Sequence, residues 1–213
     1  MSHFVGLCFG SDWENQLDYY YEGREVEPYV KYTKEEAIEK AKQSQEHNYE
    51  YALEAIKEDS ITPKRLKQLN EIIDKGACMP DAQAWEIAKQ WGYTIDSNEN
   101  LLTSYNPDSK WDWYSIGGRW NGFLVLKERD EEGNIIETNE ALVSEIDWKY
   151  MLEHKFPPFC YVDEDGEWFE KGEMGWWGVT FDEKPNDTWL NQFKDYLSEV
   201  DSNCLVTVID FHI

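Results

Sequence analysis

Leu205-Val-Thr-Val-Ile-Asp-Phe-His-Ile213, at the end of the chain, is the stretch that decides the fold. Apolar residues occupy both sets of alternating positions, which is typical of a central strand that is buried on both faces. Residues 3–9, His-Phe-Val-Gly-Leu-Cys-Phe, also predict a strand, close to the other end of the chain.

Between these two strands the sequence signals helices and hairpins. Thr33-Lys-Glu-Glu36 is a capping box that opens a helix running to about residue 59, and Thr62-Pro63 opens another. Residues 186–200 carry apolar side chains along one helical stripe. Turn residues at 131–134 and 163–166 separate short apolar runs, which indicates two β-hairpins.

This order of elements predicts an α+β fold with one antiparallel sheet and helices on one face. We expect a ferredoxin-like arrangement, in which the first and last strands pair antiparallel. The helices at about residues 33–92 then form an insertion after the first strand. Because no long linker, repeat or low-complexity tract interrupts the chain, residues 1–213 are predicted to form a single α+β domain with that insertion.

The composition limits the partners of this protein. Its 213 residues include 20 basic and 44 acidic residues, for a net charge of −24. Such a charge repels duplex nucleic acid, so we expect no direct binding to DNA or RNA. Two interpretations of the charge stay open. The interpretation we favour is that the charge keeps the protein soluble. The other is that the acidic surface mimics nucleic acid and so inhibits a host protein.

The sequence also predicts where the protein resides. No stretch of about 18 apolar residues occurs, and the start lacks a basic segment followed by an apolar run, so neither a membrane span nor a signal peptide is expected. Cys8, Cys78, Cys160 and Cys204 form no C-x-x-C pair. We therefore predict free thiols in a cytoplasmic protein, with no metal site and no cofactor.

The densest group of informative residues is Lys110-Trp-Asp-Trp-Tyr-Ser-Ile-Gly-Gly-Arg-Trp-Asn-Gly122. Its paired glycines allow close backbone approach to a ligand, its cations suit a phosphate or carboxylate, and its aromatic rings can stack on a flat ligand. Gly172 to Gly178 is a second glycine–tryptophan cluster, which is either the facing wall of the same pocket or a tight turn. The predicted ligand-binding residues are Lys110, Trp111, Asp112, Trp113, Tyr114, Gly117, Gly118, Arg119, Trp120, Trp176 and Trp177.

A purely structural interpretation of this segment is equally open. The tryptophans then belong to the core, the glycines form a bulge before the next strand, and Asp112 pairs with Arg119. Asp112 is otherwise expected to hold Arg119 in place or to accept a hydrogen bond from the ligand.

His3, Asp210 and His212 form the second candidate site. The first and last strands of a ferredoxin-like sheet are neighbours, and Asp210 and His212 share a strand face, so the three side chains are predicted to lie close together. Histidine and aspartate together suit a general base or a metal. The alternative, which we favour from sequence alone, is that both histidines simply cap the sheet edge.

Several segments together resemble a family of phage and prophage proteins for which no activity is established. They are Met1-Ser-His-Phe4, Val26-Glu-Pro-Tyr29, Lys110-Trp-Asp-Trp-Tyr, Ile116-Gly-Gly-Arg-Trp120, Met174-Gly-Trp-Trp-Gly178 and Val208-Ile-Asp-Phe-His-Ile213. The resemblance covers both ends and the middle of the chain. It implies an accessory phage gene acting in the host cytoplasm, and many such genes counter host defences.

Three functional hypotheses follow. The first is a counter-defence protein that binds and sequesters a small anionic, nucleotide-like signalling molecule, with Lys110 and Arg119 meeting its charge. The second is an acidic inhibitor of a host defence protein. The third is a nucleotide hydrolase or phosphodiesterase that uses His3, Asp210 and His212. Sequence favours a non-enzymatic role and leaves a homo-oligomer open.

Overall fold

Helices alternate with short strands along the chain, which a computed structural model describes over residues 2–58, 60–175 and 178–213. The helices are α1 (Trp13–Asp18), α2 (Lys34–Ala55), α3 (Pro63–Lys75), α4 (Asp81–Ala88), α5 (Trp148–His154) and α6 (Asn186–Glu199). The strands are β1 (His3–Phe9), β2 (Tyr29–Tyr32), β3 (Thr94–Ile95), β4 (Leu101–Thr103), β5 (Trp113–Ile116), β6 (Leu124–Arg129), β7 (Ile135–Thr138), β8 (Glu140–Leu142), β9 (Cys160–Val162), β10 (Trp168–Glu170), β11 (Glu173–Met174), β12 (Thr180–Phe181) and β13 (Leu205–His212).

The closing strand β13 lies inside the largest sheet. The strand order of that sheet is β10-β9-β1-β13-β5, and β8 also pairs with β13. β1 and β13 are antiparallel over their common length, from His3 opposite His212 to Phe9 opposite Val206. The central position of the closing strand and its antiparallel pairing with the first strand are both confirmed.

The mostly antiparallel strands together with the helices confirm the predicted α+β class. β9 runs parallel to β1, and β10 returns antiparallel beside β9. In a ferredoxin-like sheet, one strand runs parallel to the first strand, and the strand on its far side comes earlier in the chain. Here the parallel strand is β9, and the strand on its far side, β10, comes later in the chain. The strand order therefore differs from the ferredoxin-like arrangement, although the first and last strands pair as that arrangement requires.

Apolar side chains cover both faces of this sheet. On one face α5 and α6 bury Met151, Trp189 and Phe193 against the strands. On the other face α1 contributes Trp13 and Leu17. Because successive strand residues point to opposite faces, β1 and β13 need apolar residues at almost every position. The sheet thus explains why neither strand has a polar face in the sequence.

The chain divides into two compact units, one formed by Met1–Glu25 with Tyr105–Ile213 and the other by Val26–Ser104. The second unit contains α2, α3 and α4 and its own three-stranded sheet of order β2-β4-β3. The helical insertion predicted at about residues 33–92 falls within this unit. Its three strands, which flank the helices, were not predicted.

Helix ends in the second unit follow the capping signals. The Glu36 backbone N–H donates to the Thr33 hydroxyl at 3.2 Å, and the Thr33 N–H donates to the Glu36 carboxylate at 2.9 Å. Thr62 accepts from the backbone N–H of Arg65 in the same way, at 3.3 Å. These contacts satisfy N–H groups that a helix start leaves unpaired, so both predicted helix starts are confirmed.

Candidate functional site

The register of three strands brings the two terminal histidines together. His3 of β1 lies opposite His212 of β13, which lies opposite Trp113 of β5. Asp210 is two residues from His212 and shares its face of the sheet. The predicted proximity of His3, Asp210 and His212 is therefore confirmed.

A buried carboxylate holds the ring of His3. His3 Nδ1 lies 2.9 Å from Asp210 Oδ1, and Asp210 is only 2% exposed. The other oxygen, Oδ2, accepts a hydrogen bond from the backbone N–H of Arg119 at 2.9 Å. Asp210 thus has a partner for each oxygen, as a buried carboxylate requires, and it fixes the orientation of the imidazole.

His212 has a carboxylate partner of its own. Its Nδ1 lies 2.5 Å from Asp112 Oδ1, and the Asp112 backbone N–H donates to the His212 carbonyl at 2.9 Å. The ring stacks on Trp113 with centroids 4.9 Å apart. Asp112 therefore pairs with His212, and the expected pairing of Asp112 with Arg119 is not the one that forms.

The two imidazoles contact each other edge to face, with ring centroids 5.0 Å apart. A carboxylate at Nδ1 accepts the ring hydrogen there, which leaves Nε2 of a neutral imidazole as a proton acceptor. His212 Nε2 is buried and has no hydrogen-bond partner among the described residues. An unpaired buried nitrogen costs about 1–3 kcal/mol, so a group that donated a hydrogen bond to it would recover part of that cost.

The two glycines of the central segment explain how the backbone N–H of Arg119 comes close enough to bond Asp210. Gly117 and Gly118 have φ values of 70° and 49° and lead into a 3-10 helix, Gly118–Trp120. A Cβ on Gly118 would overlap the Asp210 carboxylate and the Ser115 hydroxyl. The close backbone approach predicted for a ligand is thus made to the protein's own carboxylate.

A largely apolar cavity of about 460 Å³ opens beside His3. This volume lies within the range of about 300–1,000 Å³ that small-molecule sites occupy. Its apolar wall includes Phe4, Trp120, Phe156, Phe159, Met174 and Leu190. Its polar groups are Lys171, Asn186 and Asp187, and the Lys171 ammonium is paired with Glu183.

The two predicted cations differ in their surroundings. Lys110 Nζ lies 2.6 Å from Glu170, and both residues line a second cavity of about 730 Å³. The charge of Lys110 is therefore already balanced. Arg119 is exposed, and its guanidinium makes no ion pair within residues 2–58, 60–175 and 178–213.

The predicted aromatic residues separate into core and surface. Trp111 is 8% exposed and donates from Nε1 to the Leu17 carbonyl at 3.1 Å, and Tyr114 packs edge to face on it. Trp113 is 45% exposed beside His212. Trp120 lines the cavity at His3. The structural interpretation thus holds for Trp111 and Tyr114, whereas Trp113 and Trp120 adjoin the histidines.

Two glycines of the second glycine–tryptophan cluster contact the residue before β1. The Ser2 hydroxyl donates to the Gly175 carbonyl at 3.0 Å and accepts from the Gly178 backbone N–H at 2.5 Å. These bonds attach Gly175 and Gly178 of the cluster to the residue before His3. Trp176 and Trp177, which were predicted to wall the pocket, lie outside the described residues.

Cys8, Cys160 and Cys204 are poor nucleophiles. Burial raises the pKa of the Cys8 and Cys160 thiols, and burial together with the charge of Glu164 raises the pKa of Cys204 to about 11. Thiols of raised pKa stay protonated and unreactive at neutral pH. In the described part of the chain no group of three or more His, Cys, Asp or Glu side chains is arranged to hold a metal ion.

The fold and site together define an α+β protein with two carboxylate-held histidines at one end of its main sheet. Protein-family models, curated proteins and solved structures contain no match to this chain. Among the described helices, none combines the length and the apolar character that crossing a membrane requires. The resemblance to phage proteins stays a prediction.

Proposed function

We propose that this protein hydrolyses a small nucleotide-like phosphodiester by general acid–base catalysis at His3 and His212. The observation that carries the proposal is the pair of contacting imidazoles, each with Nδ1 on its own carboxylate. A positioned histidine that exchanges protons with reacting groups accelerates a reaction by about 10²–10⁴-fold. Two of them supply both proton transfers that the cleavage of a diester needs, once the substrate reaches the buried Nε2 of His212 as well as the ring of His3 that lines the cavity.

The step balances with water as the nucleophile. One neutral imidazole accepts a proton from water as the water oxygen bonds to phosphorus. The bond from phosphorus to the leaving oxygen breaks, and the other imidazole, protonated, gives its proton to that oxygen. The products are a phosphomonoester and an alcohol. Asp112 and Asp210 keep each ring in the required orientation and tautomer.

Two cationic groups suit an anionic substrate, namely a protonated imidazole and the exposed side chain of Arg119. Protonated imidazole attracts a phosphate, and Arg119 is an uncommitted cation whose backbone N–H is held by Asp210. The resemblance to phage proteins suggests a signalling nucleotide of host defence as the natural substrate and the host cytoplasm as the compartment. Inhibition of a host protein by the acidic surface stays a prediction, as does a homo-oligomer.

Sequestration of the same ligand without turnover is the second candidate function. It is favoured by the apolar cavity of about 460 Å³ at His3, which can bind a ligand whether or not proton transfer follows. In this case the ligand is released chemically unchanged. Turnover and sequestration therefore predict different products from one incubation.

The test is incubation of the protein with cyclic mononucleotides, cyclic dinucleotides and ADP-ribose derivatives, followed by chromatography. We expect the conversion of at least one phosphodiester to a phosphomonoester. His3→Gln and His212→Gln should each lower kcat by about 10²–10⁴-fold. His154→Gln is the matched control because His154 is exposed on α5. A bound ligand recovered unchanged, or full turnover by both histidine variants, would overturn the proposal.

Substitution of the two carboxylates is a second test, which distinguishes the positioning of the imidazoles from a contribution to fold stability. Asp112→Asn and Asp210→Asn keep the size of each side chain but remove its charge and replace one acceptor oxygen by an NH2 donor, so the side chain no longer holds the imidazole in one tautomer. We expect kcat to fall with little change in KM. The wild-type dependence of kcat/KM on pH should be bell-shaped, because one imidazole must be neutral and the other protonated. Loss of a single limb in each histidine variant would support the two assigned roles.

A further inference from the structure

The cavity beside His3 is lined by polar groups that the protein does not use itself. Asn186 and Asp187 lie in the first turn of α6 and line this cavity. Neither side chain has a hydrogen-bond partner within the described residues. Lys171, the remaining polar residue there, is paired with Glu183. One carboxylate and one amide are therefore available to a ligand.

The apolar wall of the cavity includes the aromatic side chains of Phe156 and Trp120. Phe156 is 59% exposed, although it also packs on Phe123 with centroids 5.6 Å apart. Trp120 is half-buried, because it packs against the core cluster around Phe9 and also lines the cavity. Exposed aromatic faces that border a cavity provide a surface on which a flat heterocycle stacks.

We infer that this cavity binds the base of a guanine nucleotide, with the ring on Trp120 and Phe156 and its edge at Asp187; this inference rests on the proposed function. Guanine carries adjacent N–H donors on N1 and on its exocyclic amine, which one carboxylate accepts in parallel. Its O6 is an acceptor for the Asn186 amide. Adenine has a lone pair at N1 instead, so the Asp187 carboxylate repels it.

The charge of the cavity also orients the substrate. Asp187 repels a phosphate, and the Lys171 charge is balanced by Glu183. The neutral base therefore occupies the end at Asp187, and the phosphodiester lies at His3. This orientation brings the bond that breaks to the imidazole and keeps the base in the apolar part.

Neutral nucleosides test the inference without any reaction. Binding of guanosine and of adenosine is measured by isothermal titration calorimetry. We expect guanosine to bind at least about tenfold more tightly, and Asp187→Asn to weaken guanosine about tenfold and to remove the preference. Asp195→Asn is the matched control, since it removes one carboxylate from an exposed position of the same helix and should leave both affinities unchanged.

The outcomes separate this inference from the proposed function. Equal affinity for the two nucleosides, no binding of either, or an unchanged preference in Asp187→Asn would overturn the guanine site, even if phosphodiesters are cleaved. Guanosine binding that persists in the His3→Gln variant would support it. A guanine preference in a protein that cleaves no phosphodiester would instead overturn the hydrolase and leave the base site standing.

Discussion

At the residue scale, Gly118 connects the central segment to the histidine site. Its φ of 49° lies in the left-handed region, and its Cα faces the Asp210 carboxylate so closely that a side chain has no room. Only glycine lets the Arg119 N–H reach Asp210 from this turn. The Gly-Gly-Arg motif thus supports the carboxylate that orients His3.

We predict that Gly118→Ala disturbs the site as well as the fold. The left-handed conformation alone costs about 1–2 kcal/mol for a non-glycine residue, and the overlap with Asp210 adds to that cost. Gly133→Ala is the matched control, because Gly133 has a φ of 85° and nothing within 4 Å of an added Cβ. Urea unfolding and the imidazole proton signals of His3 report stability and site geometry separately.

Gly133→Ala should lower the free energy of unfolding by about 1–2 kcal/mol and leave the imidazole signals unchanged. Gly118→Ala should lower it further and shift the signals of His3. If both variants lose the same stability and neither shifts a histidine signal, the turn does not support Asp210 in the way described.

The sequence predicted which histidines and aspartate form the site, but it did not predict all of their hydrogen-bond partners. The expected pairing of the first and last strands placed His3 near His212, and period-two alternation placed Asp210 on the same face as His212. The register confirms both. The partner of Asp112 was not predicted, because it depends on which strand lies beyond β13. Asn186 and Asp187 were missed as well, since their place at the cavity follows from the packing of α6. Such long-range contacts leave no periodic signal in the sequence.

At the scale of elements, α5 shows how local charge stabilises a short helix. The Asp147 carboxylate accepts from the Tyr150 backbone N–H at 3.1 Å, and its other oxygen lies 3.1 Å from the Arg129 guanidinium. The Tyr150 hydrogen bond first, and Arg129 second, hold the pKa of Asp147 below its usual value of about 3.9. Both contacts favour the ionised carboxylate in the folded state.

We therefore predict that Asp147 stabilises the fold in a pH-dependent manner. A carboxyl group whose pKa is lowered in the folded state stabilises the fold at pH values above its unfolded-state pKa. This stabilisation is lost as the pH falls through the folded-state pKa. Asp147→Asn keeps the cap acceptor and removes the charge. Urea unfolding should show the variant to be less stable at pH 7 and equal to wild type near pH 2.

The control for this comparison is Asp195→Asn, which removes a carboxylate that is exposed on α6. Its stability difference from wild type should be smaller than that of Asp147→Asn at pH 7. A difference between Asp147→Asn and wild type that stays constant from pH 7 to pH 2 would show that geometry, rather than charge, carries the contribution of Asp147.

Element prediction succeeded where patterns were long or capped. β1, β13 and α6 extend over seven, eight and 14 residues, and their apolar patterns predicted all three. β2, β3 and β4 have only two to four residues. Alternation cannot be recognised over so few positions, which explains why the sheet of the second unit was not predicted.

At the scale of the whole molecule, the two units have separate cores. The clusters around Phe9 and around Phe211 contain only residues of the first unit. The clusters around Trp85 and around Leu69 contain only residues of the second. Each unit thus has apolar burial of its own, which is the main requirement for independent stability.

The ends of the second unit also meet, because the Val26 backbone N–H lies 3.5 Å from the Ser104 carbonyl oxygen. A linker of about four Gly and Ser residues can therefore replace Val26–Ser104 without stretching the chain. We predict that the shortened protein folds cooperatively and keeps the imidazole signals of His3 and His212. Circular dichroism during heating and proton NMR of the histidines are the measurements. The isolated unit 26–104 should show a helical circular dichroism spectrum by itself. Loss of the histidine signals in the shortened protein would mean that the site depends on the second unit.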